Sequence, residues 1–291
     1  MRLCGGGVVV LARHNPQSWF TEYQTDSLNL GFRIDEILLH EKSPFQDVLV
    51  VRTETYGRLL ALDGAVQTTQ GDEFVYHEMI THVPLFMMAA PKKVAVIGGG
   101  DGGSIREILK HASVQEAHLV EIDGRVVSAA RQFFPEISCA LDDPRAQVHL
   151  ADGIEWVRQA RDYDLIIVDS TDPVGPATGL FSPDFYQSIA EALAPGGILV
   201  AQSESPYLHQ ALIKQMANGM RTAFSHVRLY LAAIPTYPSG LWSFLMASQH
   251  LPEPHARYLT TKIATRYWTP HIQSAAFVLP RFVEEFMTCD G

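Results

Sequence analysis

The chain has 291 residues, 47% of them hydrophobic, with three cysteines and a formal net charge of −10; one large α/β domain, or a large domain beside a small one, fits that length. The acidic balance, with no basic stripe, argues against a nucleic-acid footprint and suits a cationic small substrate. Cys4, Cys139 and Cys289 form no CxxC pair, which argues against a disulfide framework or a metal site, and no apolar run approaches the roughly 18–20 residues that span a membrane.

The opening "MRLCGGGVVVLARHNP" carries a short apolar core with no A-x-A-like cleavage site behind it. Residues 1–15 are therefore expected to be a disordered or non-native extension, and the protein to be cytoplasmic. From Leu28 to Gln70, the β-type runs "LNLGFRIDEILLHEK", "QDVLVVRT", "RLLALDG" and "AVQTT" follow one another with Gly, Asp or Pro between them. They predict a small antiparallel β domain over residues 16–71. "GDEFVYHEMITHVPLFMMAA" predicts a helix with Asp72 as N-cap and Glu73 in its first turn, ended or kinked at Pro84.

From Lys92, strands alternate with helices: "KVAVIGGG" with "GSIREILKH", "AHLVEID" with "GRVVSAARQFF", "AQVHLADG" with "IEWVRQARD". "YDLIIVDS" then precedes a helix near 182–194, and "GGILVAQS" one through about 206–223. Such alternation predicts βαβ crossovers and a parallel sheet covered on both faces. "VRLYLAAIPTY" and "LWSFLMASQ", with no helix between, predict an antiparallel pair at the sheet edge. This second domain is taken as residues 72–291.

Carboxylates stand at successive strand ends. Gly98, Gly100 and Gly103 satisfy G-x-G-x-x-G between a strand and a helix, the context of a dinucleotide site, and Glu121 ends the next strand where it can accept both ribose hydroxyls. Asp101 counts against a dinucleotide, because a carboxylate inside this loop repels a pyrophosphate. A nucleoside carrying positive charge, such as an S-adenosyl sulfonium, suits it better; the plainer alternative is a cap for the following helix. Asp152 with Gly153 is either an adenine contact or an Asp-Gly N-cap. Asp169 ends the strand of "YDLIIVDSTDPVGP", Asp172 follows three residues on, and Pro173 and Pro176 stiffen the chain behind them. In a doubly wound sheet these strand ends line one crevice.

"GGGDGGSIRE", "VEIDGRVV", "DDPR", "ADG", "VDSTDPVGP" and "IPTYPSG" together resemble the spermidine synthases, the polyamine aminopropyltransferases. So do "ALDGAVQTTQGDEFVYHEMITHVPL" upstream and "RYWTPHIQSAAFVLPRF" near the end. The resemblance runs from roughly Phe32 to Phe286; it omits residues 1–15 and "SESPYLH", which begins at Ser203. It implies an α/β protein, a Rossmann-like methyltransferase-type doubly wound sheet preceded by a small antiparallel β domain, assembled as a homodimer or homotetramer. It also implies transfer of an aminopropyl group from decarboxylated S-adenosylmethionine, a co-substrate rather than a cofactor, to putrescine, leaving spermidine and methylthioadenosine. Carried over by motif, Gln46 resembles the small-domain contact to the nucleoside, Glu121 the ribose acid, Asp152 with Gly153 the adenine pair, and Pro176 a residue packing on the nucleoside. Asp169 resembles the catalytic base. Asp101, Tyr76, His77, Asp172, Tyr237 and, less closely, Gln67 resemble the amine-site groups.

That chemistry suits these residue types. An alkyl ammonium has a pKa of about 10, so a positioned base must take its proton, and the amine must lie about 3–3.5 Å from the carbon beside the sulfonium. The sulfur leaves as a neutral thioether and needs no acid. A diamine needs carboxylates at both ends with aromatic walls between, and a fixed Asp101 attracts the amine of the decarboxylated donor while repelling the carboxylate of S-adenosylmethionine itself. The rivals are an S-adenosylmethionine-dependent small-molecule methyltransferase, an aminopropyltransferase acting on cadaverine or agmatine, and a catalytically idle polyamine- or nucleoside-binding protein.

Overall fold

The computed structural model describes residues 8–10, 18–170, 179–256 and 263–288. The N-terminal part is an antiparallel meander of β1 (Val8–Val10), β2 (Ser18–Thr25), β3 (Leu28–Lys42), β4 (Asp47–Thr53), β5 (Gly57–Leu62) and β6 (Ala65–Thr69), each strand paired with the next. Val8–Val10 fall inside the expected extension and pair with Trp19, Phe20 and Thr21 of β2. The β5–β6 turn is Asp63-Gly64, both at positive φ (47° and 82°), the backbone that a two-residue hairpin needs.

Strand alternation gives this sheet two apolar faces. Leu49 and Val51 join Phe20, Phe32, Ile34 and Leu59 in the small domain's own core. Val48, Val50, Leu60 and Leu62 turn the other way and pack on Val126, Ala129, Phe134 and Ile137. A period of two thus builds one domain and docks it on the next.

The chain then enters α1 (Glu73–Leu85), buried along nearly its whole length. Asp72 sits at the N-cap position but makes no capping bond; its carboxylate accepts instead from Thr69 and Thr236. Pro84 lies in the last turn, and the helix stops one residue later.

The second sheet has seven strands in the order β12-β13-β11-β10-β7-β8-β9. β7 (Lys93–Gly98), β8 (Glu116–Glu121), β9 (Ala146–Leu150), β10 (Tyr163–Asp169) and β11 (Leu193–Gln202) run parallel, while β12 (His226–Ala233) and β13 (Leu241–Ser248) form the expected antiparallel pair. Between and after them lie α2 (Gly103–Ile108), α3 (Gly124–Phe133), α4 (Pro135–Ser138), α5 (Gly153–Gln159), α6 (Pro183–Ala192), α7 (Gln210–Arg221), α8 (Pro270–Ala276) and α9 (Arg281–Thr288). The core fills both sheet faces. β7 pairs with both β8 and β10, so the strand order reverses there, and the crevice at its carboxyl end is where such sheets bind ligands.

Candidate active site

The crevice is lined by the residues that end β7, β8 and β10. Gly98 is register partner to Asp169 across the β7–β10 pair. Its φ is +83°, and a Cβ there would lie 2.1 Å from the Asp169 carbonyl oxygen, so only glycine fits. Five residues further on, Gly103 opens α2 directly beneath the His77 ring, where a Cβ would fall 2.2 Å from Cε1. The glycines here serve close packing between protein groups.

Asp101 holds the start of the following helix and also meets a buried histidine. Its Oδ1 accepts from the Gly103 N–H at 2.8 Å, tying down the start of α2, and its Oδ2 lies 3.3 Å from His77 Nε2. His77 Nδ1 donates to Glu73 Oε2 at 2.6 Å, and both Glu73 oxygens receive the Arg106 guanidinium, at 3.0 and 2.8 Å. This buried chain of alternating charge fixes protonation states. Burial works to depress the His77 imidazole, yet the Asp101 and Glu73 carboxylates hold it well above its ordinary range. Burial likewise works to raise Asp101, but His77, the Gly103 N–H and Arg106 keep it low. Asp101 is therefore a fixed anion at neutral pH, and both His77 nitrogens are occupied by carboxylates rather than directed at an amine.

Asp169 is held at both oxygens. Tyr76 Oη donates to Oδ1 at 2.5 Å, and Ser104 Oγ to Oδ2 at 2.8 Å. Burial, then the nearby Asp101 charge, pushes this carboxyl above its ordinary range, while His77, Tyr76 and Ser104 pull it back. Tyr76 and Tyr237 meet edge to face with centroids 5.7 Å apart. Burial and the surrounding carboxylates raise both phenols well above their ordinary range, so each stays a hydrogen-bond donor. Tyr237 Oη donates to the backbone oxygen of Gln67 at 2.6 Å. Gln67's own amide turns back to Ala65, so it is the Gln67 carbonyl, not its side chain, that contributes to this wall.

At the other end, burial raises Glu121 to about 7, assisted by Asp123 and opposed by the N–H groups of Asp123, Ile122 and Gly100. Gln46 Nε2 and Ser43 Oγ, from the small domain, donate to Asp123 Oδ2 at 2.9 and 2.6 Å. Gln46 is thereby placed beside the Glu121 strand end. Asp152 accepts from the Ile154 N–H at 2.8 Å as N-cap of α5, leaving its second oxygen at an exposed rim, and Gly153 sits against Ile97. Asp172 and Pro176 lie outside the described residues.

Two residues join the site that sequence reasoning passed over. Ser104 follows the glycine loop directly, where a serine reads as helix-start chemistry; its contact with Asp169 spans 65 positions. Glu204, inside "SESPYLH", is 4% exposed and non-glycine at φ +69°, and its charge raises the Tyr237 phenol. A non-glycine residue in left-handed backbone is uncommon, and only the structure reveals the backbone.

The family model described as the spermidine synthase tetramerisation domain matches residues 18–70, and the spermine/spermidine synthase domain matches residues 73–257. A polyamine aminopropyltransferase of Moorella thermoacetica is 51% identical over 271 residues, 92% of this chain and 96% of that protein. One of Caldicellulosiruptor bescii is also 51% identical, over 92% and 98%. Among solved structures, a spermidine synthase in complex with the transition-state analogue AdoDATO superposes with TM-score 0.90 at 37% identity, covering 96% of this chain and 97% of its own. The spermidine synthase of Thermotoga maritima gives 0.89 at 37% identity, over 95% and 97%. With both models covering the two sheets and the carboxylates gathered at the strand ends, the chain belongs to the spermidine synthase family of polyamine aminopropyltransferases and is a transferase.

Proposed function

We propose that the chain moves an aminopropyl group from decarboxylated S-adenosylmethionine to putrescine, with Asp169 as the base. The observation that carries this reading is the pairing of Asp101, fixed as an anion by His77, with the buried Asp169 under two tyrosines. The first attracts the donor's amine and the second takes the acceptor's proton. The likeness to a spermidine synthase that binds AdoDATO supports it further.

The acceptor ammonium passes a proton to Asp169, and the freed lone pair attacks the carbon beside sulfur. A C–N bond forms as the C–S bond breaks, its electron pair leaving on sulfur in neutral methylthioadenosine. Glu121 holds the ribose hydroxyls, Asp152 and Gly153 the adenine, and Gln46 steadies this end from the small domain. Asp172 holds the distal amine and Pro176 packs on the nucleoside.

The test is methylthioadenosine release from each donor with a panel of diamines. Release with putrescine and the decarboxylated donor carries the proposal. Release only with cadaverine or agmatine changes the acceptor, methyl transfer from S-adenosylmethionine favours the rival, and silence throughout overturns it. We infer a homodimer or homotetramer, supported by the tetramerisation-domain match and by exposed Trp19, Tyr23, Leu28 and Ile37 on the small sheet; light scattering reads the mass. The sparse cysteines favour the cytoplasm, and among the described residues no helix is long and apolar enough to cross a membrane.

A further inference from the structure

Asp169 ends a strand inside an acidic crevice, and among the described residues no cation is bonded to it directly. A carboxylate so placed tends to keep its proton, and a protonated Asp169 cannot serve as base. It also needs a fixed rotamer, because proton transfer requires hydrogen-bond reach. Two hydroxyls meet these needs, and they differ. Tyr76 stands between Asp169 and Tyr237, so its ring also walls the pocket. Ser104 has no such second duty. It is the second residue of α2, its side chain is completely buried, and its only hydrogen bond among the described residues runs from Oγ to Asp169 Oδ2 at 2.8 Å.

We propose that Ser104 is a positioning residue for the reaction: its hydroxyl pins the Asp169 carboxylate in one rotamer and favours its ionised form, leaving the remaining lone pairs for the acceptor amine. This rests on the aminopropyl-transfer reading. The groups facing Asp169 come from every surrounding element. Among the described residues, α1 supplies Tyr76 and His77, the glycine loop Asp101, α2 Ser104, and the loop between β12 and β13 Tyr237. Asp101 opposes ionisation of Asp169, and His77 is already shared between two other carboxylates. Of the two hydroxyls that donate to Asp169, Ser104 is thus the one that does not also wall the pocket.

The experiment compares Ser104→Ala and Ser104→Thr with the unmodified protein. One readout is the infrared carboxyl band that disappears in Asp169→Asn, followed against pH; the other is the acid limb of kcat/KM for the diamine. A lost hydrogen bond to a charged group corresponds to about one pH unit. Ser104→Ala is expected to raise both the band's midpoint and the acid limb by about that much, costing about tenfold in kcat/KM below the limb and little above it. Ser104→Thr, which keeps the hydroxyl, stays near the unmodified protein. An unmoved midpoint in Ser104→Ala, or equal shifts in the two variants, overturns the proposal, as does a moved midpoint that the acid limb does not follow. If the unmodified protein releases no methylthioadenosine with any diamine, the functional reading falls, and the infrared titration still decides whether the hydroxyl holds Asp169.

Discussion

The two ends of the crevice, proposed to take the nucleoside and the amine, both rely on carboxylates, but the carboxylates are held by different kinds of partner. Glu121 accepts from the N–H of Asp123 and Asp152 from that of Ile154, each only two residues along the chain. At the amine end, Asp169 is held by Tyr76 and Ser104 from 93 and 65 positions away, Asp72 by Thr236 from 164, and Tyr237 by Gln67 from 170. The bonds at Glu121 and Asp152 follow from the strand-loop-helix connection itself, with Ser43 and Gln46 of the small domain added only at Asp123. The amine end exists only once α1, β10 and the β12–β13 loop have come together. Substitutions there should change turnover while leaving the nucleoside in place.

The largest separation should appear on replacing the base. Asp169→Asn keeps the size and one acceptor oxygen for the Tyr76 or Ser104 hydroxyl, but cannot take a proton. General-base removal is worth about 10²–10⁴-fold, so turnover should fall by about 10³ while methylthioadenosine affinity by calorimetry stays within about twofold. Near-normal turnover would remove Asp169 from the mechanism; lost nucleoside affinity would mean the two ends are not independent. Asp101→Asn, between the ends, tests the donor. Losing a charge partner for the donor's amine should weaken the decarboxylated donor about thirtyfold and narrow its advantage over S-adenosylmethionine. An unchanged ratio of the two affinities would reject Asp101 as the discriminating group.

The same contrast explains what could be read from the chain beforehand. The two-sheet architecture and the edge pair follow from periodicity and glycine placement, because each is written within a few residues. Glu121, Asp152, Asp101 and Asp169 stand at recognisable strand ends for the same reason. Asp72 shows where local reading stops: its place before a helix predicts a cap, and a buried Thr236 from across the sequence takes the carboxylate instead. Ser104 and Glu204 were hidden likewise, one behind a distant partner and the other behind a left-handed backbone. The resemblance places His77 among the amine-site groups, and in the structure the Glu73 and Asp101 carboxylates meet both its nitrogens.

Asp72 therefore offers a gentler way to disturb the amine end alone. Its carboxylate accepts from the Thr236 N–H at 2.9 Å and from the Thr236 hydroxyl at 2.8 Å, one residue before Tyr237. Thr236→Val removes the hydroxyl bond, keeps the backbone one and preserves volume. At about 1 kcal/mol for such a bond, KM for the diamine should rise about fivefold, with KM for the donor unchanged. Equal rises in both would show that the loop supports the whole crevice.

The smallest effect belongs to the nucleoside end and is read with pH. Glu121 is raised by burial from its ordinary 4.5 to about 7, so its neutral form is favoured in the empty folded protein. By linkage, the stability this group contributes is present below about 4.5 and is lost as pH rises through about 7. Ribose hydroxyls act the other way, because they donate and so favour the carboxylate. Methylthioadenosine should bind about threefold more tightly near pH 8 than near pH 6, less than full titration allows because a neutral carboxyl still offers one acceptor oxygen. The thermal shift it causes should grow over the same interval, and Glu121→Gln should flatten both trends. A pH response that survives in Glu121→Gln would assign the titration elsewhere. One that vanishes in Asp169→Asn would show that the two ends titrate together despite their separate construction.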